Sequence, residues 1–378
     1  MSRIVLLGSG AWGTAIALSL SQRGGHKITL WSHSVGEASQ ISAAGENILF
    51  LPGFPLPPGI EITANEAAVS DAEIVVSVIP SGFLRPTLAR LRPHMHAGQI
   101  VLSATKGVED RTFLRMTEVI AGCLGEAAGE SLVSGGRRAT NPDTNLEVFV
   151  ETGAPEVSSS GIPPAPRSSG DAAFSIGALS GPSFAIEVAQ GQPTAVTVAF
   201  EDAAIAERVQ SEFSSETLRL YTTTDVVGVE LGGALKNVIA IAAGVAAGVG
   251  LGYNSAAALM TRGIAEITRL AVACGGRRET LAGLSGAGDL VLTCTGSLSR
   301  NRTVGQALGQ GRKLPEILAS LDGKVAEGVL TTRAALGLAR KHNIEMPITE
   351  QMELILDEGK DPREAIKELM LRPGKDEQ

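Results

Sequence analysis

The feature that most constrains this chain is a glycine-rich turn near its N-terminus. Gly8-Ser9-Gly10-Ala11-Trp12-Gly13 fits the pattern GxGxxG and stands between an apolar run, Arg3–Leu7, and a helix-compatible run, Ala11–Gln22. Glycines permit a tight turn with close approach of the backbone, and the start of the next helix offers unpaired N–H groups to a pyrophosphate. The context predicts a strand-turn-helix unit that holds a dinucleotide at Gly8, Gly10 and Gly13.

Strand and helix patterns alternate along the first part of the chain. This alternation predicts an α/β, Rossmann-like domain with a mainly parallel sheet and helices on both faces. Strands buried on both faces are apolar along their whole length, as these runs are. The predicted strands after the first are Lys27–Trp31, Glu73–Ile79, Gln99–Ala104, a strand from Ile176, Thr194–Phe200 and Thr217–Tyr221.

The alternation stops after Asp225, and the remainder reads as helices. A chain of 378 residues can bury two cores. We therefore expect a dinucleotide-binding domain at residues 1–224 and an all-α domain at 225–378. The predicted helices are a long one from Val226, Ser255–Ala273, Thr303–Gly309, Leu314–Ser320, Thr331–Lys341 and Thr349–Asp357.

The segment 126–174 interrupts the first domain. It is rich in Ser, Gly and Pro, and Ser158–Gly170 is especially poor in apolar side chains. This composition predicts a flexible insertion or long surface loop. A small subdomain around Leu146–Val150 is the alternative.

Charge and cysteine usage limit the partners. A formal charge of −8 argues against nucleic acid or an anionic membrane as a general partner, so the cations for an anionic substrate must be gathered locally. Cys123, Cys274 and Cys294 lack metal-ligand spacing, so no metal site is expected. A reducing cytoplasm is the simplest setting for these thiols.

Two apolar stretches resemble membrane-related segments. Ile4–Leu20 superficially resembles a secretory signal, but glycines punctuate it and its periodicity changes from strand to helix. Val226–Gly252 is long enough for a membrane span, yet it contains Glu230, Lys236 and many glycines. We expect a buried core helix there and no membrane insertion.

The residues after the second strand bear on the choice of cofactor. An NAD site normally has an Asp or Glu at this point to hold the ribose hydroxyls, and none occurs before Glu37. A 2′-phosphate would then meet no carboxylate, and His33 could bond to it, which favours NADP or dual use. Alternatively, His33 is an exposed loop residue.

Lys236 is the candidate for proton transfer. It is followed by an almost wholly apolar run, and lysine is rarely buried without a partner. Partial desolvation lowers the pKa of an ammonium group, so Lys236 could take the proton of an alcohol and return it in reduction. The alternative is a lysine that extends from a core helix to the surface.

Further polar groups suit an anionic substrate. Lys106 follows a strand at the carboxyl edge of the sheet, where it could meet phosphate or polarise a carbonyl, or be a solvated loop lysine. Ser297–Thr303 combines hydroxyls, an amide and guanidinium groups before a helix, as an anion site or as ordinary capping. Asp289 stands in a glycine-rich turn, where it could hold a substrate hydroxyl or close the turn.

At these motifs the chain resembles the bacterial-type NAD(P)-dependent glycerol-3-phosphate dehydrogenases. Together the matches extend over about residues 3–125 and 175–375. They are Gly8–Thr14, Ala104–Gly107, Ser180–Ala185, Val229–Gly244, Gly283–Gly296, Ser299–Arg302 and Val325–Gly328.

The resemblance implies an all-α C-terminal domain of the 6-phosphogluconate dehydrogenase-like type, with the active site between the two domains. It implies a homodimer that usually favours NADPH and supplies glycerol 3-phosphate for phospholipid synthesis, with Lys236 as the proton acceptor. The implied substrate contacts are Lys106, Gly181, Ser183, Asp289, Ser299, Arg300 and Asn301. The implied cofactor contacts are Ala11, Trp12, His33, Lys106, Ala185, Arg300, Val325 and Glu327.

Segment 126–174 departs from this family, in which the helix near Cys123 runs almost directly into the strand before Ser180. Two other functions stay open. One is a β-hydroxyacid or ketopantoate-type reductase, which would not need the anion site at Ser299, Arg300 and Asn301. The other is a non-catalytic dinucleotide sensor, which would need neither that site nor Lys236.

Overall fold

The computed structural model describes residues 1–125, 138–140, 147–149, 174–321, 326–374 and 376. The chain divides into two compact units, one formed by residues 1–124 with 173–378 and the other by residues 125–172. Ten strands lie within the described residues. They are β1 (Ser2–Leu7), β2 (His26–Trp31), β3 (Ile60–Thr63), β4 (Ile74–Ser77), β5 (Ile100–Ser103), β6 (Arg138–Thr140), β7 (Glu147–Phe149), β8 (Ser175–Ser180), β9 (Thr194–Phe200) and β10 (Leu218–Thr223).

Eight strands of the first unit form one sheet in the order β10-β9-β8-β5-β4-β1-β2-β3. Every neighbouring pair is parallel except β8 with β9. The mainly parallel sheet is therefore confirmed. Six helices belong to this part: α1 (Ala11–Arg23), α2 (Val35–Ala44), α3 (Ser81–Leu91), α4 (Met116–Gly125), α5 (Ala185–Ala189) and α6 (Ala203–Phe213).

Alternate side chains of β1 enter two separate cores. Ile4 and Leu6 pack in a cluster that includes buried residues of α1, α5 and α6. Val5 and Leu7 pack in a second cluster, with residues of α3 and α4. The sheet is thus covered on both faces, which explains why its central strands consist mainly of apolar residues.

The structure after β10 is helical, as the sequence predicts. By contacts these helices belong to the same compact unit as the sheet, so a domain boundary at 224/225 stays a prediction. A π-helical turn, Leu284–Gly288, lies among them. The helices are α7 (Val226–Val249), α8 (Tyr253–Ala273), α9 (Arg278–Ala282), α10 (Asp289–Thr295), α11 (Arg300–Gly309), α12 (Leu314–Ala319), α13 (Glu327–Lys341), α14 (Pro347–Asp357) and α15 (Pro362–Met370).

Helix α7 is the centre of the helical core. Among the described helices it alone is long and apolar enough to cross a membrane, but 83% of its most apolar window is buried inside the protein. The predicted buried core helix is confirmed. A Cβ on Gly244 would overlap the carbonyl oxygen of Arg302, and one on Gly305 would overlap that of Ile241. These glycines let α7 and α11 pack backbone to backbone.

One local prediction needs correction, and some short elements were not predicted. Gly286–Asp289 is not a turn, because a π-helical turn leads directly into α10, which begins at Asp289. Strand β3 was not predicted because it is short and only partly buried, and helices α9 and α15 were not predicted because they are short and polar. In the second unit, β6 and β7 form an antiparallel pair. The predicted flexibility of segment 126–174 otherwise lies outside the described residues.

Candidate active site

A cavity of about 1000 Å³ lies at the carboxyl edge of the parallel strands. Its walls come from the turn after β1, the loops after β2, β4 and β5, and side chains of α7 and α11. Ligands of open α/β sheets bind at this edge, and the volume suits a dinucleotide with a small substrate. The predicted site residues that line it are Gly8, Gly10, Ala11, Trp12, Gly13, His33, Lys106, Ser183, Ala185, Lys236, Ser299, Arg300, Asn301 and Glu327.

The glycine turn has the shape that a pyrophosphate requires. Gly8 has a φ of +119°, and a Cβ there would lie 3.1 Å from the carbonyl oxygen of Val78. A Cβ on Gly13 would overlap the carbonyl oxygen of Gly8. Gly10 precedes α1 without a side-chain cap, and a Cβ there would meet nothing within 4 Å. The start of α1 is therefore open to the cavity, so these residues fit a dinucleotide.

A buried asparagine fixes this turn, and sequence reasoning missed it. The side-chain amide of Asn47 donates to the carbonyl oxygen of Ser9 at 2.6 Å and to Oγ1 of Thr14 at 2.8 Å. Its Oδ1 accepts from the backbone N–H of Phe50 at 3.3 Å, and Phe50 lines the cavity. Asn47 lies in a loop without a motif, so no local signal indicated its role.

No carboxylate follows β2 before Glu37, but the expectation that a 2′-phosphate would meet no carboxylate did not take Glu37 itself into account. Glu37 lines the cavity, and its Oε1 accepts a hydrogen bond from Oγ of Ser9 in the glycine turn. Helix α2 begins at Val35, so Glu37 stands in its first turn and can reach back towards β1. Ser34 caps the helix, its Oγ accepting from the N–H of Glu37 at 3.3 Å. His33 is exposed on the same cavity.

A buried carboxylate joins two lysines at the opposite end of the site. Lys236 on α7 donates from Nζ to Oδ1 of Asp289 at 2.6 Å and to Oγ1 of Thr293 at 2.7 Å. Lys106 donates to Oδ2 of Asp289 at 2.7 Å. Asp289 is 1% exposed and Lys236 is 7% exposed. Lys236 therefore does not extend into solvent, and its ammonium group lies in the cavity wall.

Burial and charge act against each other in this cluster. Burial lowers the pKa of Lys236 to about 8, although Asp289 acts to raise it, and Lys106 lowers it further. Burial raises the pKa of Asp289, but the two ammonium groups more than offset this and hold it below its ordinary value. At neutral pH Asp289 is thus an anion, and Lys236 is mostly protonated, about one pH unit below its midpoint of about 8.

Lys106 also connects the cluster to the loop after β8. Its Nζ donates to the carbonyl oxygen of Gly181 at 3.2 Å, which accepts from Oγ of Ser183 at 3.0 Å as well. Gly181 has a φ of +149°, and a Cβ there would lie 2.8 Å from Cα of Val196, so only glycine fits. Lys106 is consequently not a solvated loop lysine.

The start of α11 combines capping with cavity-lining groups. Ser299 is the N-cap, and its Oγ accepts from the N–H of Arg302 at 3.3 Å. Oδ1 of Asn301 accepts from the N–H of Gly328 at 3.0 Å. Arg300 is exposed and lines the cavity. The capping interpretation holds for Ser299, while the guanidinium of Arg300 remains available to an anion.

Glu327 connects α13 to the start of α3. Its Oε2 accepts from Oγ of Ser81 at 2.6 Å and its Oε1 from the N–H of Ser81 at 3.3 Å. Burial raises the pKa of Glu327 despite these bonds. Val325, the other cofactor contact implied at this point, lies outside the described residues.

Sequence reasoning missed two further cavity residues of the catalytic end. Asn237 is buried beside Lys236, and Thr293 shares the lysine with Asp289. Thr293 stands one helical turn after Asp289, a spacing that could have suggested it had α10 been predicted. In the part of the chain that the structure describes, no group of three or more His, Cys, Asp or Glu side chains could hold a metal ion.

The fold and this site define a class: NAD(P)-dependent oxidoreductases with a Rossmann-like sheet and a helical region. The family description "NAD-dependent glycerol-3-phosphate dehydrogenase C-terminus" matches residues 225–367. The corresponding N-terminus description matches residues 3–141 and 167–206, passing over much of the predicted insertion. The chain therefore belongs to the NAD-dependent glycerol-3-phosphate dehydrogenase family.

Two relatives and one solved structure support the same family. The glycerol-3-phosphate dehydrogenase (NAD(P)+) of Acidobacterium capsulatum is 52% identical over 100% of both chains. That of Geobacter sulfurreducens is 44% identical over 98% of this chain and 97% of the relative. The crystal structure of glycerol-3-phosphate dehydrogenase from Coxiella burnetii superimposes with a TM-score of 0.82 at 34% identity, covering 98% and 99% of the two chains.

A ketopantoate reductase from Ralstonia eutropha shares the fold with a TM-score of 0.52, covering 96% of this chain and 99% of its own. Its 13% identity shows the architecture alone.

Proposed function

We propose that this chain interconverts dihydroxyacetone phosphate and glycerol 3-phosphate with NADH or NADPH. The observation that carries the proposal is the buried Lys236 in the wall of a dinucleotide-sized cavity that Arg300 also lines. The names of the relatives support the same reaction. A proton-transfer group and an anion-binding group in one cavity match a substrate with both a hydroxyl and a phosphate.

Lys236 takes the alcohol proton in oxidation and returns it in reduction. A bound nicotinamide would supply the hydride acceptor for oxidation and the hydride donor for reduction. Asp289 and Thr293 hold Nζ of Lys236 in the cavity wall, and the lowered pKa lets the amine exist in both protonation states near neutral pH. Lys106 helps to position Asp289 and presents positive charge to the substrate.

The remaining roles follow from position on the cavity for the residues that line it, and from the family resemblance for Gly181, Asp289 and Val325. We assign the phosphate to the start of α11 and the pyrophosphate to the glycine turn. Substrate contacts are Lys106, Gly181, Ser183, Lys236, Asp289, Ser299, Arg300 and Asn301. Cofactor contacts are Gly8, Gly10, Ala11, Trp12, Gly13, His33, Lys106, Ala185, Arg300, Val325 and Glu327.

We place the enzyme in the cytoplasm as a homodimer that supplies glycerol 3-phosphate for phospholipid synthesis. The preference for NADPH that His33 suggests is part of this proposal.

One assay tests the reaction. Purified protein is mixed with dihydroxyacetone phosphate and NADH or NADPH, and loss of the reduced-cofactor absorbance is followed. We expect turnover with at least one cofactor. Faster turnover of a non-phosphorylated keto acid would favour the ketopantoate-type reductase, and no turnover despite tight nucleotide binding would favour a dinucleotide sensor.

A further inference from the structure

Glu37 has a position in the cofactor cavity that the reaction itself does not explain. Its carboxylate accepts from Ser9 Oγ, and the Ser9 side chain stands within the glycine turn. Ser9 is 4% exposed and its carbonyl is held by Asn47, so the hydroxyl that anchors Glu37 is itself fixed. Both residues line the cavity, as does His33 at the end of β2.

In Rossmann-like sites an acid at the end of the second strand accepts hydrogen bonds from the adenosine ribose. This chain has Ser32, His33 and Ser34 there, and the carboxylate arrives instead from the first turn of α2. We propose that Glu37 performs this task and limits the preference for NADPH. The inference rests on the proposed cofactor site and adds to it a residue that selects between the two nucleotides.

The physical reason is charge. A ribose hydroxyl can donate to a carboxylate, whereas a 2′-phosphate has no proton to donate near neutral pH and adds about two negative charges beside it. His33 acts in the opposite sense, because its ring can donate to a phosphate. Arg90 also lines the cavity, but its guanidinium donates to Glu66, at 3.0 Å from Nε. Glu37 therefore weakens the preference for NADPH that His33 favours, so that the site accepts both NADH and NADPH.

The test measures nucleotide affinity without turnover. The chain contains two tryptophans, Trp12 and Trp31, and both line the cavity. Their fluorescence reports binding of NADH and NADPH, and competition with ADP-ribose and 2′-phospho-ADP-ribose isolates the ribose contact. Glu37→Gln should raise the ratio of NADPH to NADH affinity about tenfold, which corresponds to about 1.4 kcal/mol. If the Gln variant folds poorly, Glu37→Ala takes its place and should raise the same ratio.

Glu61→Gln is the matched control, since Glu61 is an exposed carboxylate on the adjacent strand β3 and does not line the cavity. It should leave the ratio unchanged. An unchanged ratio in both Glu37 variants, or an equal change in the control, would overturn the inference. The outcome is independent of the proposed reaction, because a protein that binds both nucleotides but does not reduce dihydroxyacetone phosphate would still report the ratio.

Discussion

The two ends of the cavity are built in different ways. At the glycine turn, backbone shape makes the site: glycines remove side chains, and neutral groups such as Asn47 hold the loop. At the other end, charge makes the site: Asp289 lies between two ammonium groups in a buried cluster. The motif of the first end is one short segment, supported by residues up to 38 positions away, whereas the second end joins residues 183 positions apart in the chain. Binding and proton transfer should therefore be separable by mutation.

The largest expected effect is at the charged end. Lys236→Ala removes the group that transfers the proton, so kcat should fall about 100- to 10,000-fold. Nucleotide affinity, measured by tryptophan fluorescence, should change little because the glycine turn is untouched. Lys27→Ala, an exposed lysine on β2, is the control. Near-normal turnover in Lys236→Ala would remove the proposed role of this residue.

Asp289 should matter for stability as well as rate. Asp289→Asn leaves two ammonium groups near each other without their shared anion, and breaking a buried ion pair typically costs about 3–5 kcal/mol. Denaturant unfolding measures the loss. The control is Asp357→Asn, whose exposed pair with Arg333 should contribute at most about 1 kcal/mol. Equal losses of stability in the two variants would show that the buried cluster contributes no more to stability than the exposed ion pair.

The same contrast explains which features of each end could be predicted from the sequence. The glycine turn is local, so its residues, strand and helix could be inferred from one motif. The burial of Lys236 could be inferred from the apolar run around it. Its pairing with Asp289 could not, because that contact depends on the π-helical turn that leads into α10.

Glu37 shows the same limit on a smaller scale. Glu37 lies six residues beyond β2 in the sequence, and its carboxylate meets Ser9 only because α2 runs back towards the glycine turn. Asn47 was missed for the same reason, since its partners are 33 and 38 positions earlier in the chain. A motif thus predicts the residues that act within its own segment. Residues whose partners are distant in the chain can be identified only from the tertiary structure.

Arg300 tests whether the charged end includes an anion site. Loss of a charged hydrogen bond typically costs about 1.5–3 kcal/mol, so Arg300→Ala should raise the KM for dihydroxyacetone phosphate about 10- to 100-fold. Arg312→Ala, an exposed arginine just after α11, serves as the control. A KM that stays constant in Arg300→Ala would assign the phosphate to another group.

The smallest effect is a pH dependence with opposite signs in the two directions. Oxidation needs the unprotonated amine of Lys236, so kcat/KM for glycerol 3-phosphate should rise as the pH increases through about 8. Reduction needs the protonated form, so kcat/KM for dihydroxyacetone phosphate should fall over the same range.

Because Asp289 acts to raise the pKa of Lys236, both midpoints should move to lower pH in Asp289→Asn. Profiles measured in both directions, for the wild type and this variant, check the sign. If both directions rose with pH, or if the midpoints moved upward in the variant, Lys236 would not be the group that titrates. The charged end would then only bind ligand, as the glycine turn does, and the two ends would not differ in function.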